Sequence, residues 1–215
     1  MTSLSRILPA LFLAFILAEC LFPKKINGRN RLEDLAKSGK TGKEILKIYS
    51  LIKLKRADLG EKHAWKIARA ISRESRNAAI DPMLVVALID VESRFQTEAV
   101  SHRGARGLMQ VRPDVVDELA QNGGPLTDFK AEAKNPHFLH DPSTNIKIGV
   151  SYLSYLKKKF RDLRLALVAY NWGPTKTRKI LDEEQEIPED YATRVLSTYD
   201  AYRNNRLPPS PWEAA

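Results

Sequence analysis

The most constraining feature of the sequence is an almost uninterrupted apolar segment, PMLVVALIDVE, at residues 82–92. Asp81 precedes it with a side chain suited to an N-cap, and Pro82 suits the first helical turn, so a helix is predicted to begin there. A helix that is apolar almost all round has to be buried in the middle of a domain. Glu92 would then lie at its C-terminal end.

Helical periodicity also dominates the rest of the chain. Apolar residues recur at helical spacing in residues 64–75, 113–120, 144–160 and 188–204. A further apolar run ends at Tyr170, where Asn-Trp-Gly-Pro breaks the chain before a short helix from Pro174. The sequence shows no convincing alternating strand pattern and no internal repeat. It therefore predicts a compact, mainly α-helical domain with little or no β-sheet at residues 61–206, followed by a proline-rich tail at 207–215.

Residues 1–22 have the profile of a signal peptide or signal anchor. One charge, Arg6, precedes an apolar run of 12 residues at positions 7–18, which is too short for a comfortable membrane span. A buried core helix is the alternative. The only cysteine, Cys20, lies in a context similar to the lipidation signal of bacterial lipoproteins, except that Glu19 replaces a small residue. We expect an exported protein of the periplasm or cell envelope, with membrane association through the N-terminus and lipidation at Cys20 left open.

Residues 23–60 form a basic lead-in to the predicted domain. Between Lys24 and Asp58 there are 11 basic and 4 acidic residues, a net charge of +7 out of +9 for the chain. Such a segment attracts nucleic acid, anionic lipid or an acidic polymer, so charge alone does not choose a partner. Apolar residues at helical spacing in residues 43–56 predict an amphipathic helix, which either lies on an anionic membrane or packs on the body.

The sequence gives little support for a nucleic-acid or metal site. It lacks zinc-finger spacing, an RNP-like aromatic motif and a clear helix-turn-helix, so no nucleic-acid partner is predicted. Its histidines lack companion carboxylates or thiols at ligand spacing, so neither a metal nor a cofactor is predicted. We expect a monomer. The four histidines are His63, His102, His137 and His140.

Glu92 is the first candidate for chemistry. Burial and the negative end of the helix dipole both disfavour a charged carboxylate at this position, so the pKa of Glu92 is expected to rise. A carboxylic acid that stays protonated near neutral pH can protonate a poor leaving group such as a glycosidic oxygen. The alternative is that Glu92 turns outward to solvent at the helix end.

Polar groups follow Glu92 in a glycine-punctuated loop and again after the apolar run. Gly104 and Gly107 suit tight turns or a close approach of backbone to a ligand, and the amide of Gln110 can donate to and accept from sugar hydroxyls. Tyr170 and Asn171 place a phenol and an amide where an apolar helix is predicted to end.

Three motifs in order resemble the soluble-lytic-transglycosylase (SLT) catalytic domain of bacterial peptidoglycan lytic transglycosylases. The first is Glu92-Ser93, Ala99, Ser101, Gly104-Ala105 and Gly107-Leu108-Met109-Gln110, with the family's separation of 18 positions from Glu to Gln. The second is DPSTNIKIGVSYL, in which Asn145, Ile146, Gly149, Tyr152 and Leu153 match. The third is Ala-Tyr-Asn-x-Gly-Pro at residues 169–174. Together they cover residues 67–199, and the resemblance implies a lysozyme-like helical fold.

The resemblance implies that Glu92 is the catalytic acid and base. The implied substrate-binding residues are Ser101, Met109, Gln110, Tyr170 and Asn171, of which Met109 would sit beside the groove. Alternative roles remain for three of them, since two could hold loop backbone (Ser101 and Asn171) and one could mainly fill the core (Tyr170). Asn145 is expected to be a helix-start or scaffold residue, and stacking of Trp172 on a sugar is the less favoured interpretation.

The last helix departs from the family pattern. Family members carry a Glu-Thr-x-x-Tyr-Val element there, whereas this chain has IPEDYATRV and no Glu-Thr pair. The resemblance therefore does not assign Glu189 as a second site carboxylate. Tyr191 matches better, and we expect it to pack.

One glutamate is enough if the substrate supplies the nucleophile. Ordinary glycosidases need two carboxylates, but Asp90 projects from nearly the opposite side of the helix and Glu98 is expected to be a solvated surface charge. The resemblance implies non-hydrolytic cleavage between N-acetylmuramic acid and N-acetylglucosamine in peptidoglycan, giving 1,6-anhydromuramyl ends. The alternatives are a hydrolysing lysozyme-type muramidase on the same fold and a non-catalytic glycan-binding or assembly protein of the envelope.

Overall fold

Two stretches of the chain, residues 39–121 and 136–206, are described by the computed structural model. Within them the chain forms eight α-helices and, before α5, a 3₁₀ helix at Pro136–His140. The described residues contain no β-strand, only isolated bridges that pair Arg106 with Val100 and Val111, so the predicted mainly α-helical fold is confirmed. The helices are α1 Gly39–Lys55, α2 Glu61–Asn77, α3 Pro82–Ser93, α4 Pro113–Gln121, α5 Pro142–Phe160, α6 Leu163–Trp172, α7 Pro174–Asp182 and α8 Asp190–Arg203.

Helix α3 is the buried centre of the fold, as its composition predicts. Residues 83–89 are all buried, and α2 and α8 pack against the helix. The Asp81 side chain accepts from Met83 N at 2.8 Å, which satisfies one of the free N–H groups of the first turn. Glu92 lies in the last turn of α3 and is partly buried.

The second half of the domain uses the same start signal once more. Asp141 caps α5 by accepting from Thr144 N at 2.9 Å, and Pro142 occupies the first turn, so α5 begins two residues before the predicted start at Thr144. Helices α2 and α6 pack on α5. Helix α6 extends two residues past Tyr170 before Gly173, whose φ of +88° ends it.

Helix α1 begins at Gly39 rather than at Lys43, and its apolar face is covered by the body. The chain divides into two compact units, Met1–Lys43 and Glu44–Ala215, and only residues 39–43 of the first unit are described. Within the second unit, Ile48 and Ile52 are fully buried, and the Tyr49 ring stacks on Trp65 with 4.0 Å between centroids. Of the two predicted roles for this segment, packing on the body is observed.

No helix among the described residues is both long enough and apolar enough to cross a membrane. The predicted signal segment at residues 1–22, the lead-in up to residue 38 and the tail at 207–215 lie outside the described residues.

Candidate active site

Glu92 lines a cleft of about 740 Å³ near the end of α3. Burial raises the pKa of its carboxyl group to about 7 from 4.5, against the opposing effects of a hydrogen bond from Tyr191 and the positive charge of Arg194. The predicted rise in pKa is confirmed, and loss of hydration is its main cause. Near neutral pH the group is therefore populated in both its acid and its carboxylate form.

Tyr191 holds the Glu92 carboxyl group from α8. Its phenol oxygen donates to Glu92 Oε1 at 2.5 Å, and the side chain is otherwise buried. Burial raises the pKa of Tyr191 well above its ordinary value, so the phenol keeps the proton that it donates. The expectation that Tyr191 mainly packs is thus incomplete. In the sequence, only the match of Tyr191 to the tyrosine of the family's last motif pointed to a position near Glu92.

The nearby acidic residues considered from the sequence lie elsewhere. The carboxylate of Glu189 is 45% exposed and accepts from Arg164 Nη1 at 3.0 Å. Asp90 faces away from the cleft, toward Tyr202 and Lys55, as helical geometry predicts. Glu98 is an exposed surface residue whose carboxylate lies 3.1 Å from the ring of His140. None of these three lines the cleft.

Two acidic residues that were not singled out from the sequence do line the cleft. Asp114 forms an ion pair with Arg112, and Glu118 accepts from the Tyr152 hydroxyl at 3.4 Å.

Ser101 and Gln110 line the cleft and also organise the loop that carries them. The Ser101 hydroxyl oxygen accepts from Ala105 N at 3.0 Å, which leaves its own O–H for a ligand. The Gln110 amide nitrogen donates to Gly107 O at 3.0 Å and to Ala99 O at 3.3 Å. Because its N–H groups are used in this way, the Gln110 side chain offers its amide oxygen as the acceptor for a sugar hydroxyl.

Met109 differs from the prediction that it binds substrate. Its side chain is fully buried, packs against Gly149 and does not line the cleft. Its backbone is held at both ends, because its N–H donates to Asn145 Oδ1 at 2.7 Å and its carbonyl accepts from the Tyr170 hydroxyl at 2.9 Å. Met109 therefore supports the cleft from beneath.

Asn145 is the scaffold residue that was expected. Its side chain is fully buried, and its amide nitrogen donates to the carbonyls of Arg106 and Leu139, at 2.8 Å each. With the bond from Met109 N, this one side chain satisfies three backbone groups of the loop and the 3₁₀ helix. Asn145 thereby fixes the loop on α5.

The C-terminal end of α6 supplies another wall of the cleft. The Tyr170 ring lies 5.5 Å from that of Tyr152, and its hydroxyl is used to hold Met109 O. Asn171 and Trp172 are exposed in the cleft, the indole at 38%. The ammonium of Lys176, which also lines the cleft, lies 3.7 Å from the centroid of the Trp172 ring. Tyr170 thus combines support with lining, whereas Asn171 is free to face a ligand.

The part of the chain that the structure describes contains no group of three or more histidine, cysteine, aspartate or glutamate side chains arranged to hold a metal ion.

Comparison with known families agrees with this geometry. The sequence profile of the transglycosylase SLT domain matches residues 69–192, which is more than half of the chain and includes Glu92, the loop, α5 and α6. This chain belongs to the SLT family. The match ends at residue 192, just beyond Tyr191, so the Glu92 carboxyl group and its phenol partner both lie within the family's region of similarity.

This SLT chain is similar to curated and solved relatives over part of their length. It is 31% identical over 144 residues to the membrane-bound lytic murein transglycosylase C of Mannheimia succiniciproducens, covering 62% of this chain and 38% of that protein. The crystal structure of the 70 kDa soluble lytic transglycosylase of Escherichia coli matches with a TM-score of 0.55 and 25% identity, over 81% of this chain and 32% of that one. A complex of the 70 kDa enzyme with bulgecin A gives a TM-score of 0.54, again at 25% identity, with coverage of 82% and 32%. The chain therefore spans less than half the length of these relatives.

Proposed function

We propose that this SLT chain cleaves the β-1,4 bond between N-acetylmuramic acid and N-acetylglucosamine in peptidoglycan and leaves 1,6-anhydromuramyl ends. The observation that carries the proposal is Glu92, a cleft-lining carboxyl group whose pKa is raised by burial to about 7. Membership of the SLT family and similarity to proteins named lytic murein transglycosylases support the reaction class.

In the first step, protonated Glu92 donates its proton to the glycosidic oxygen. The bond from the anomeric carbon of the muramyl residue to that oxygen breaks, and N-acetylglucosamine leaves with its hydroxyl restored. The muramyl ring carries the positive charge of an oxocarbenium-like state, which its own acetamido oxygen supports. The acid form needed for this step is favoured by the burial of Glu92.

In the second step, the Glu92 carboxylate removes the proton from the muramyl 6-hydroxyl while that oxygen closes on the anomeric carbon. Tyr191 supports the carboxylate, because a hydrogen bond donated to the charged form stabilises it. The step regenerates the acid and consumes no water. It also needs no second carboxylate, because the substrate supplies the nucleophile.

Ser101, Gln110 and Asn171 supply the polar contacts to the glycan in this proposal, since all three line the cleft. The Trp172 ring offers an apolar face for a sugar at the same wall. The residues that line the cleft come from α3, the loop after it, α4, α5 and the region of α6 and α7, so a glycan bound there would contact several parts of the domain.

An envelope location and a membrane association through the N-terminus complete the proposal. They rest on the apolar segment at residues 7–18, on Cys20 and on relatives whose names describe membrane-bound enzymes. We also propose that the chain acts as a monomer.

Product analysis tests the proposed reaction. Purified murein digested with the full chain is expected to release muropeptides with 1,6-anhydromuramyl ends, and Glu92→Gln is expected to lower the rate by about 1,000-fold or more, because the amide cannot transfer the proton. Reducing muramic acid ends would favour the hydrolysing muramidase instead. Unchanged binding of murein with no product from either protein would favour a non-catalytic glycan-binding protein.

A further inference from the structure

The chain makes an unusual turn directly after Glu92. Arg94 and Phe95 both have left-handed backbone conformations, with φ values of +50° and +59°. Residues with a side chain rarely adopt this conformation, and two in succession persist only where the surroundings hold them. The turn ends α3 two residues after the catalytic carboxyl group, so whatever holds the turn also holds Glu92.

The end of α1 supplies one of the contacts that hold this turn. Arg56, the residue after α1, donates from Nη1 to Phe95 O at 3.2 Å. On another edge of the same guanidinium, Nε donates to Asp58 Oδ1 at 2.8 Å and Nη2 donates to Asp58 Oδ2 at 2.7 Å. The Phe95 side chain is fully buried. The turn is therefore held at Phe95, whose side chain is buried in the core and whose carbonyl accepts from Arg56.

A second contact from α1 is made to Asp90, which precedes Glu92 by two residues in α3. Lys55 Nζ lies 3.1 Å from Asp90 Oδ2, and the Tyr202 hydroxyl donates to the same oxygen at 2.6 Å. Asp90 and Tyr202 are largely or fully removed from solvent, so this ion pair is less screened than a surface pair. It joins α1, α3 and α8, the last of which also carries Tyr191.

Helix α1 is itself well anchored and can transmit this constraint. The Ser72 hydroxyl of α2 donates to Glu44 Oε1 at 2.6 Å, and the stacked rings of Tyr49 and Trp65 lie along the same contact. Ile48 and Ile52 complete it with fully buried side chains. Helix α1 is thus held in place along its length by packing and by a hydrogen bond to α2.

We infer that Lys55 and Arg56 are positioning residues for Glu92, which makes the helix before the predicted catalytic domain part of the catalytic apparatus. Lys55 contacts Asp90 within α3, and Arg56 contacts Phe95 in the turn that follows it. Together they hold the end of the helix so that the Glu92 carboxyl group stays against the Tyr191 hydroxyl. This inference rests on the proposed role of Glu92 in glycan cleavage. Neither residue lines the cleft, so they act through α3 and not on the substrate.

The kinetic test uses Lys55→Met and Arg56→Met in the full chain. Each is expected to lower kcat on murein about tenfold or more while KM changes less than twofold, because the acid is displaced but the cleft is intact. Arg56→Lys is expected to recover part of the loss, since an ammonium can still donate to Phe95 O. Lys43→Met is the matched control, because Lys43 is an exposed lysine near the other end of α1, and this variant should keep the rate of the parent chain.

Amide hydrogen exchange tests the same inference without turnover. The amides of Arg94 and Gln96 are protected by bonds to Asp90 O and Ser93 O, so both should exchange about tenfold faster in Arg56→Met while α5 is unchanged. Unchanged exchange at these two amides would overturn the inference, as would a general rise throughout the helices, which would indicate a role in stability alone. If the parent chain released no murein product, the proposed function would fail while this measurement still tested the positioning.

Discussion

Two opposing influences meet on the Glu92 carboxyl group. Burial disfavours its charge, whereas the Tyr191 hydroxyl and the nearby charge of Arg194 favour it. The resulting pKa of about 7 suits a group that has to donate a proton in one step and remove one in the next. A single glutamate could therefore serve both steps of the proposed reaction, because neither form is strongly preferred at neutral pH.

Tyr191→Phe tests this balance. Its hydrogen bond lowers the pKa of Glu92, so its removal should raise that pKa further. In the enzyme without substrate, Glu92 must be protonated for the first step, so kcat/KM on murein falls as pH rises through the pKa of Glu92. This fall should occur at higher pH in the variant than in the parent chain. A pH profile of kcat/KM measures the shift. An alkaline limb that stayed in place or moved to lower pH would contradict the assigned contact.

The raised pKa also predicts a cost in stability. Glu92 binds a proton more tightly in the folded state than in the unfolded state, so its stabilising effect is complete below about pH 4.5 and is lost as pH rises through about 7. Glu92→Gln removes this dependence. From pH 4 to pH 8 the parent chain should therefore lose up to about 3 kcal/mol of unfolding free energy that the variant keeps. Urea unfolding at both pH values measures the gain, and an equal difference at both would argue against a buried acid.

Single residues were predictable where the signal was local. The position of Glu92 at the end of an apolar helix predicted its raised pKa without any partner being known. The contact with Tyr191 joins residues 99 positions apart, so no local pattern could give it. Met109 shows the converse limit, because the motif identifies the residue but not whether its side chain or its backbone faces the cleft.

At the level of elements, the loop from Ala99 to Val111 depends on close contact with α5. A Cβ atom at Gly107 would lie 2.4 Å from Asn145 Nδ2 and 2.4 Å from Leu139 O. Gly104 has a similar φ, +77° against +71°, but no atom within 4 Å of the position of such a Cβ. Gly107 is required by both the limited space and its backbone conformation, whereas Gly104 is required by its conformation alone.

The two glycines form a matched pair for mutation. Gly104→Ala should lower the unfolding free energy by about 1–2 kcal/mol through its left-handed backbone. Gly107→Ala should cost at least about 2 kcal/mol more, because the added methyl group displaces Asn145 and breaks its bonds to the loop. Urea unfolding of both variants measures the difference. Equal losses would show that the close packing on Asn145 is relaxed in solution.

Element boundaries were predicted well where caps were clear. The Asp-Pro pair at residues 81–82 marks the start of α3. Apolar periodicity alone starts α5 two residues late, because the Asp-Pro pair at residues 141–142 precedes the first apolar position. The start of α1 at Gly39 was missed because its first turn is polar and rich in glycine and lysine. Such a turn gives no apolar periodicity to follow.

For the whole molecule, the main finding is that α1 packs on the helical body that carries Glu92. Its burial of Ile48 and Ile52 and the stack on Trp65 could not be predicted, because an amphipathic helix looks the same whether its apolar face meets lipid or protein. Only the tertiary structure distinguishes the two.

Two truncations test this assignment. A fragment of residues 61–215 should unfold at least about 10 °C below a fragment of residues 39–215, or fail to fold. The shorter fragment loses two fully buried isoleucines, worth about 1.5–3 kcal/mol each, and uncovers Trp65. Thermal unfolding followed by circular dichroism measures both. Equal unfolding temperatures would restore the boundary at residue 61.

The central claim, that one glutamate cleaves the glycan without water, is tested most directly by digesting murein in oxygen-18 water. Mass spectrometry of the muropeptides should show 1,6-anhydromuramyl ends without oxygen-18 from the full chain and no new ends from Glu92→Gln. Reducing muramic acid ends that carry oxygen-18 would contradict the account, because they would show that water and not the muramyl 6-hydroxyl attacks the anomeric carbon.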